Sequence, residues 1–149
     1  ARRPGEGTGP MAEFTRAVDF WTVVLDDRAE FTNRKHFPSA DRLVVLDSFS
    51  NALDQISIDK DSYLVVITRG HLDDVTVMPQ VLKTNARYIG MIGSRRKCAL
   101  VFEDLRDQGF SDEAIQRVHA PIGLHISAET PEEIAVSIVA EMIQERAKA

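Results

Sequence analysis

Tyr88-Ile89-Gly90-Met91-Ile92-Gly93-Ser94-Arg95-Arg96-Lys97 is the stretch whose reading decides the fold. Its first half is apolar at successive positions, as a strand covered on both faces is, and Gly93-Ser94 closes it. Ser94 then predicts a helix cap. The helix runs to about Gln108, where Gly109 stops it, and Cys98, Val101, Phe102 and Leu105 recur on one face. Working outward, the same alternation repeats. Residues 20–25 form an apolar run closed by Asp26, Asp27 and Arg28; residues 43–46 end at Asp47; residues 63–68 end at Arg69 and Gly70. Before the first run, residues 11–18 predict a short helix. On the C-terminal side, Ser111 predicts a cap for a helix through about Val118, and residues 119–126, interrupted by Pro121 and Gly123, predict an edge strand or an irregular loop. Thr130 and Glu133 predict a capping box with Pro131 at the first helical position, for a helix to about Arg146. Its wide apolar face, with Ile134, Ile138 and Met142, suits two packing neighbours, either ordinary core or a second copy of the chain. Continuous apolar strands alternating with helices predict an α/β fold: a mostly parallel sheet with helices on both faces.

The chain has 149 residues, 18 Lys+Arg against 23 Asp+Glu, and 44% hydrophobic residues, which is the balance of one globular domain. Residues 1–10 hold three of the eight glycines and no apolar period, and read as an unassigned loop or remnant; the domain is expected over residues 11–149. No apolar run approaches the ~20 residues that cross a bilayer, so the expectation is a cytoplasmic protein without a membrane partner. A single cysteine, Cys98, excludes an internal disulfide, and His36, His71, His119 and His125 lack metal-ligand spacing. A net charge of −5 argues against nucleic acid as a partner, although a local basic cluster can still receive one anionic small molecule.

In parallel α/β sheets ligands collect beyond the carboxyl ends of the strands. Three strand-to-helix loops stand out. Arg95, Arg96 and Lys97 put three cations in the first turn of a helix, against its macrodipole, so an anion is expected to compensate. That anion is either a ligand held by Ser94, free first-turn N–H groups and an arginine fork, or acidic side chains from elsewhere. Cys98 beside this cluster is a thiolate candidate, but its shared face with Val101 and Leu105 favours core packing. Thr68-Arg69-Gly70-His71-Leu72-Asp73 combines a glycine, a cation, an imidazole and a carboxylate; its alternative reading makes Asp73 a plain N-cap and His71 a solvated loop residue. Asp26-Asp27-Arg28 occupies the place where a dinucleotide-binding fold hydrogen-bonds a ribose hydroxyl, but the candidate phosphate loop upstream, Gly5-Glu6-Gly7-Thr8-Gly9-Pro10, lacks the final glycine and carries a negative charge. An NAD(P)-dependent oxidoreductase is therefore the alternative reading rather than the leading one.

Residues 88–97, Gly109-Phe110-Ser111, His119-Ala120-Pro121-Ile122-Gly123-Leu124 and residues 128–135, in this order and spacing, closely resemble the C-terminal domain of the XdhC/CoxI proteins. These are accessory proteins of xanthine dehydrogenase and related molybdenum hydroxylases. Residues 65–71 and 20–31 are similar to the same family, so the resemblance runs from about Val18 to the C-terminus. It implies a Rossmann-like domain that binds molybdenum cofactor, in the molybdopterin or a nucleotide form. The cofactor would be protected during sulfuration with a cysteine desulfurase and inserted into the apo-hydroxylase by a carrier that is not itself a catalyst. A homodimer is the expected assembly. The cofactor-binding residues implied are Asp26, Asp27, Thr68, Arg69, Gly70, His71, Gly90, Gly93, Ser94, Arg95, Arg96 and His119, with no catalytic or metal-ligating residue. The family also carries a strand and a glycine-rich loop before the first helix, and a cysteine-bearing domain before that. Neither is recognisable here, so a sheet with unpaired neighbours in its middle is expected unless residues are missing near positions 1–15 or a neighbouring chain supplies the strand.

Overall fold

A computed structural model describes residues 8–149. The elements in order are α1 (Thr8–Ala17), β1 (Val23–Asp26), β2 (Arg42–Val45), β3 (Tyr63–Val66), α2 (His71–Leu82), β4 (Tyr88–Met91), α3 (Arg95–Asp107), α4 (Asp112–Gln116), β5 (Val118–His119) and α5 (Pro131–Ala147). Every strand pairing is parallel. The strands form two sheets rather than one, β1-β2 and β3-β4-β5, and among the described residues neither β1 nor β3 has a second strand neighbour. The described residues correspondingly divide into two compact units, residues 8–49 with 123–149 and residues 50–122.

In the first unit β1 and β2 pair in the register Val24↔Leu43, and α1 packs against α5. Ala12, Val24, Phe37 and Ala40 form a buried cluster with Leu43 against it. The helix α1 starts at Thr8, so the expected loop over residues 1–10 is overturned for Thr8, Gly9 and Pro10; Gly5, Glu6 and Gly7 lie outside the described residues. Proline tolerates a first helical turn because its missing N–H has no partner there, which a composition argument about glycine misses. At the other end, α5 carries the full capping box. Thr130 Oγ1 accepts from the Glu133 N–H at 3.1 Å, and Glu133 Oε1 accepts from the Thr130 N–H at 3.2 Å. Gly123 leads toward this helix with φ +97°, and a Cβ built on it would lie 2.5 Å from Ser137 Oγ and 3.3 Å from the Ile138 nitrogen. Gly123→Ala should therefore cost about 2–4 kcal/mol, combining the left-handed backbone penalty with overpacking. Urea unfolding of wild type and variant measures it, and a loss within the error of the extrapolation would refute the packing argument.

In the second unit β4 is the central strand, buried along its whole length, with β3 and the two-residue β5 on its edges. The crossover helices α2 and α3 pack on each other. Tyr88, Ile89, Met91, Met78, Val101 and Leu105 are almost fully buried and make the core. The Arg117 guanidinium donates to the carbonyls of Leu82, Thr84 and Ala86 at 3.1–3.2 Å, satisfying acceptors left over at the end of α2. Ser94 and Ser111 cap α3 and α4 as their positions predict. The cap of α2 departs from expectation: the helix begins at His71 with Gly70 at the cap position, which makes Asp73 a first-turn residue and not the N-cap. No described helix is long and apolar enough to cross a membrane.

Candidate functional site

The β4–α3 turn brings Gly93 and Ser94 to the carboxyl end of the sheet. Gly93 has φ +147°, and a Cβ there would meet the Lys97 stem at 2.8 Å, so the bare glycine lets Lys97 run inward past the turn. The Lys97 ammonium reaches Asp74 Oδ2 at 2.7 Å and also donates to the Ile92 carbonyl at 3.4 Å. Asp74, in the first turn of α2, has no exposed surface; its Oδ1 accepts from the Thr68 hydroxyl, whose oxygen also lies 3.1 Å from the Gly70 carbonyl, the alternative acceptor for its one proton. One of the three cations at the start of α3 is thus neutralised by a buried carboxylate of the protein itself.

The other two are not. Arg95 and Arg96 are exposed, and among the described residues no carboxylate pairs with either. Ser94 Oγ accepts from the Lys97 N–H at 3.1 Å, which leaves the Arg95 and Arg96 N–H groups as the free donors of that helix start. Next to them His71 Nε2 contacts Asp104 Oδ2 at 2.9 Å, with both side chains about two-fifths exposed. His71, Ser94, Arg96, Lys97, Leu100 and Asp104 line a cleft of about 400 Å³, together with Glu103. Arg96, Leu100, Glu103 and Asp104 follow one face of α3 at helical spacing, so that wall was legible in the sequence. The Asp74 pairing and the His71–Asp104 contact were not, because their partners lie on a different helix.

Gly70 offers a different kind of surface. Its backbone is extended, φ 176°, and a Cβ on it would meet nothing within 4 Å, so the peptide between Arg69 and His71 is open to close approach. Arg69 is exposed beside it. Two expected site residues make packing contacts. A Cβ on Gly90 would lie 2.4 Å from Ile122 Cδ1, so this glycine admits the Ile122 side chain over the sheet. His119 stacks on Tyr88 with centroids 4.7 Å apart, and Tyr88 on Tyr63 at 5.8 Å. Neither Gly90 nor His119 lines the cleft. Cys98 is buried, its thiol 3.7 Å from the Gly93 carbonyl; burial pushes its pKa up against the opposing pull of Lys97, so core packing wins over a reactive thiolate.

Asp26 and Asp27 belong to the first unit and end β1. Asp26 is held by Arg28: Nη2 donates to Oδ2 at 2.8 Å, and Nε and the backbone N–H donate to Oδ1 at 3.3 Å. The guanidinium lies 4.6 Å from the Phe31 ring centroid. Burial alone would raise the Asp26 carboxyl pKa, but hydrogen bonds from Arg28 and Asp27 together with the Arg28 charge outweigh it and hold the group below its ordinary 3.8. A carboxylate depressed in the folded state stabilises the fold above its unfolded pKa, and that contribution disappears as pH falls through the folded value. Asp26→Asn should therefore be less stable than wild type by a constant margin above about pH 5, a margin that shrinks steadily as the solution is made more acid. Urea midpoints from pH 7 to pH 3 test this, and a margin independent of pH would contradict it.

Comparison with known proteins places the chain in a family. The family model described as the XdhC Rossmann domain matches residues 5–142. The chain is 33% identical over 134 residues to YqeB of Escherichia coli K12, covering 90% of this chain and 24% of that protein. It is 30% identical over 142 residues to a probable xanthine dehydrogenase subunit of Bacillus subtilis 168, covering 95% of this chain and 41% of the relative. A shorter match, 26% over 89 residues, covers 60% of this chain and 28% of the molybdenum cofactor insertion chaperone PaoD of E. coli K12. The crystal structure of a xanthine dehydrogenase from Bacillus halodurans superposes with a TM-score of 0.83 at 31% identity, over 97% of this chain and 40% of that one. The chain thus spans less than half the length of these relatives. Since that family model matches residues 5–142, most of its length, this chain belongs to the XdhC family, as its Rossmann domain.

Proposed function

We propose that this domain binds molybdenum cofactor on behalf of a xanthine dehydrogenase or related molybdenum hydroxylase, and acts as a carrier without catalysing a reaction of its own. The observation that carries the reading is the pair Arg95 and Arg96, exposed and without a carboxylate at the start of α3, beside a cleft that reaches His71. Two guanidinium groups and two free N–H groups form a donor set suited to a phosphate, the anionic end of molybdopterin. The open Gly70 peptide leaves room for a flat ring system to approach the backbone. The bound cofactor supplies the oxygen-transfer chemistry of the hydroxylase that finally receives it.

In this reading Arg95 and Arg96 neutralise the phosphate, Ser94 holds the turn, and His71, kept in place by Asp104, faces the cleft as a hydrogen-bonding group. Thr68 and Gly93 act by holding the loops. The names of PaoD and of the B. subtilis relative support the insertion role and the target class. Sulfuration with a cysteine desulfurase, a homodimer and a cytoplasmic setting belong to the same proposal and rest on the resemblance. An NAD(P)-dependent oxidoreductase would use Asp26 for a ribose hydroxyl, and both oxygens of that carboxylate are already taken by Arg28.

The test is to incubate the chain with molybdopterin, separate it by gel filtration, and add the loaded protein to apo-xanthine dehydrogenase. Co-elution of cofactor and protein, followed by faster appearance of xanthine oxidation than with free cofactor, is the expected result. Co-elution with a nicotinamide dinucleotide instead, or no retained molybdopterin, would overturn the reading.

A further inference from the structure

We infer that Asp74 is the positioning residue of this site, joining its two loops through a buried ion pair so that Arg95 and Arg96 are presented to the anion; the inference rests on the cofactor reading above. Asp74 was not among the residues that the motif spacing or the resemblance singled out. It has no exposed surface, yet it touches both loops: Thr68 from the β3–α2 connection through Oδ1, and Lys97 from the first turn of α3 through Oδ2 at 2.7 Å. Lys97 is in turn held to the Ile92 carbonyl at the end of β4, and its stem crosses the space that Gly93 leaves open. A chain of contacts therefore runs from Thr68 through Asp74 and Lys97 to the turn that carries Ser94, Arg95 and Arg96. Taking Lys97 inward removes one like charge from the cluster and turns the first helical turn so that its neighbours face out. A ligand anion meets two arginines whose backbone cannot swing away from the Gly70 loop.

The distinguishing experiment replaces the pair by apolar side chains, Asp74→Leu with Lys97→Met, which removes the connection without leaving a lone buried charge. Amide hydrogen exchange of the full chain without ligand, and the dissociation constant for molybdopterin, are measured on wild type and on this double variant. The expected result is a folded variant whose residues 68–71 and 94–97 exchange faster while β4 and the second half of α3 do not change, with molybdopterin bound at least tenfold more weakly. Adding Arg95→Ala and Arg96→Ala to it should cost less than the same two substitutions cost in the wild type, since part of the arginines' contribution is already lost. A variant that does not fold is replaced by Asp74→Asn, read in the same two ways. Unchanged exchange at residues 94–97, or exchange raised uniformly along the chain, would overturn the positioning role whatever the ligand does. A molybdopterin affinity within twofold of wild type would overturn its service to binding. Failure of the wild type to retain molybdopterin would instead defeat the cofactor reading, and the exchange result would still separate a local connection from general stabilisation.

Discussion

Lys97→Met, with Asp74 left in place, should lower the unfolding free energy by about 3–5 kcal/mol, because it strands a carboxylate with no exposed surface and no counter-charge. In a chain of this size each kcal/mol is worth roughly 2–4 °C in melting temperature, so a loss near 10 °C or more is expected. The Thr68 hydroxyl, which still faces Oδ1, offsets only part of the penalty, since one neutral hydrogen bond is worth far less than the desolvation of an ion. Restoring neutrality with Asp74→Asn in the same chain should recover much of the loss. Thermal melts of the three proteins at pH 7 decide it: a single variant that melts with the wild type would strip the ion pair of its assigned weight.

The Arg95→Ala, Arg96→Ala double variant should bind molybdopterin at least a hundredfold more weakly and melt within a few degrees of wild type. Each arginine contributes a charge-assisted contact of about 1.5–3 kcal/mol to a phosphate, so two direct contacts sum to about 3 kcal/mol or more. Stability is expected to hold because both side chains are exposed and unpaired among the described residues, and removing two cations from a helix N-terminus relieves a small unfavourable term with the macrodipole. Equal retention of the cofactor by variant and wild type would remove the anion site from this helix start.

These two results separate cations that sequence alone cannot tell apart. Arg95, Arg96 and Lys97 are consecutive, and the expectation of a compensating anion applied to all three. Packing divided them: Lys97 turns inward to Asp74, while the arginines stay outside. The same division runs through the candidate site. Ser94, Arg96 and His71 meet around one cleft, whereas Gly90 and His119 contact Ile122 and Tyr88 outside that lining, and Asp26 is paired with its own neighbour Arg28. Leu100 and Glu103 could have been added from helical spacing, since they follow Arg96 on one face of α3.

What the amino-acid order determined by itself was local. The Ser94, Ser111 and Thr130 caps, the Gly109 stop and the four apolar strand runs depend on interactions reaching at most about four residues along the chain, which a linear pattern displays directly, although among the described strands only β4 is buried along its whole length. The start of α1 and the cap of α2 escaped because Thr8, Gly9, Pro10 and Gly70 are residues whose composition suggests loop while their backbone can still open a helix. Only the tertiary structure decided which strands pair into which sheet and which charges are neutralised. Strand pairing and the Asp74–Lys97 and His71–Asp104 contacts join segments distant in the chain, and a buried charge finds its partner through the packing of two helices, which no spacing within either helix encodes.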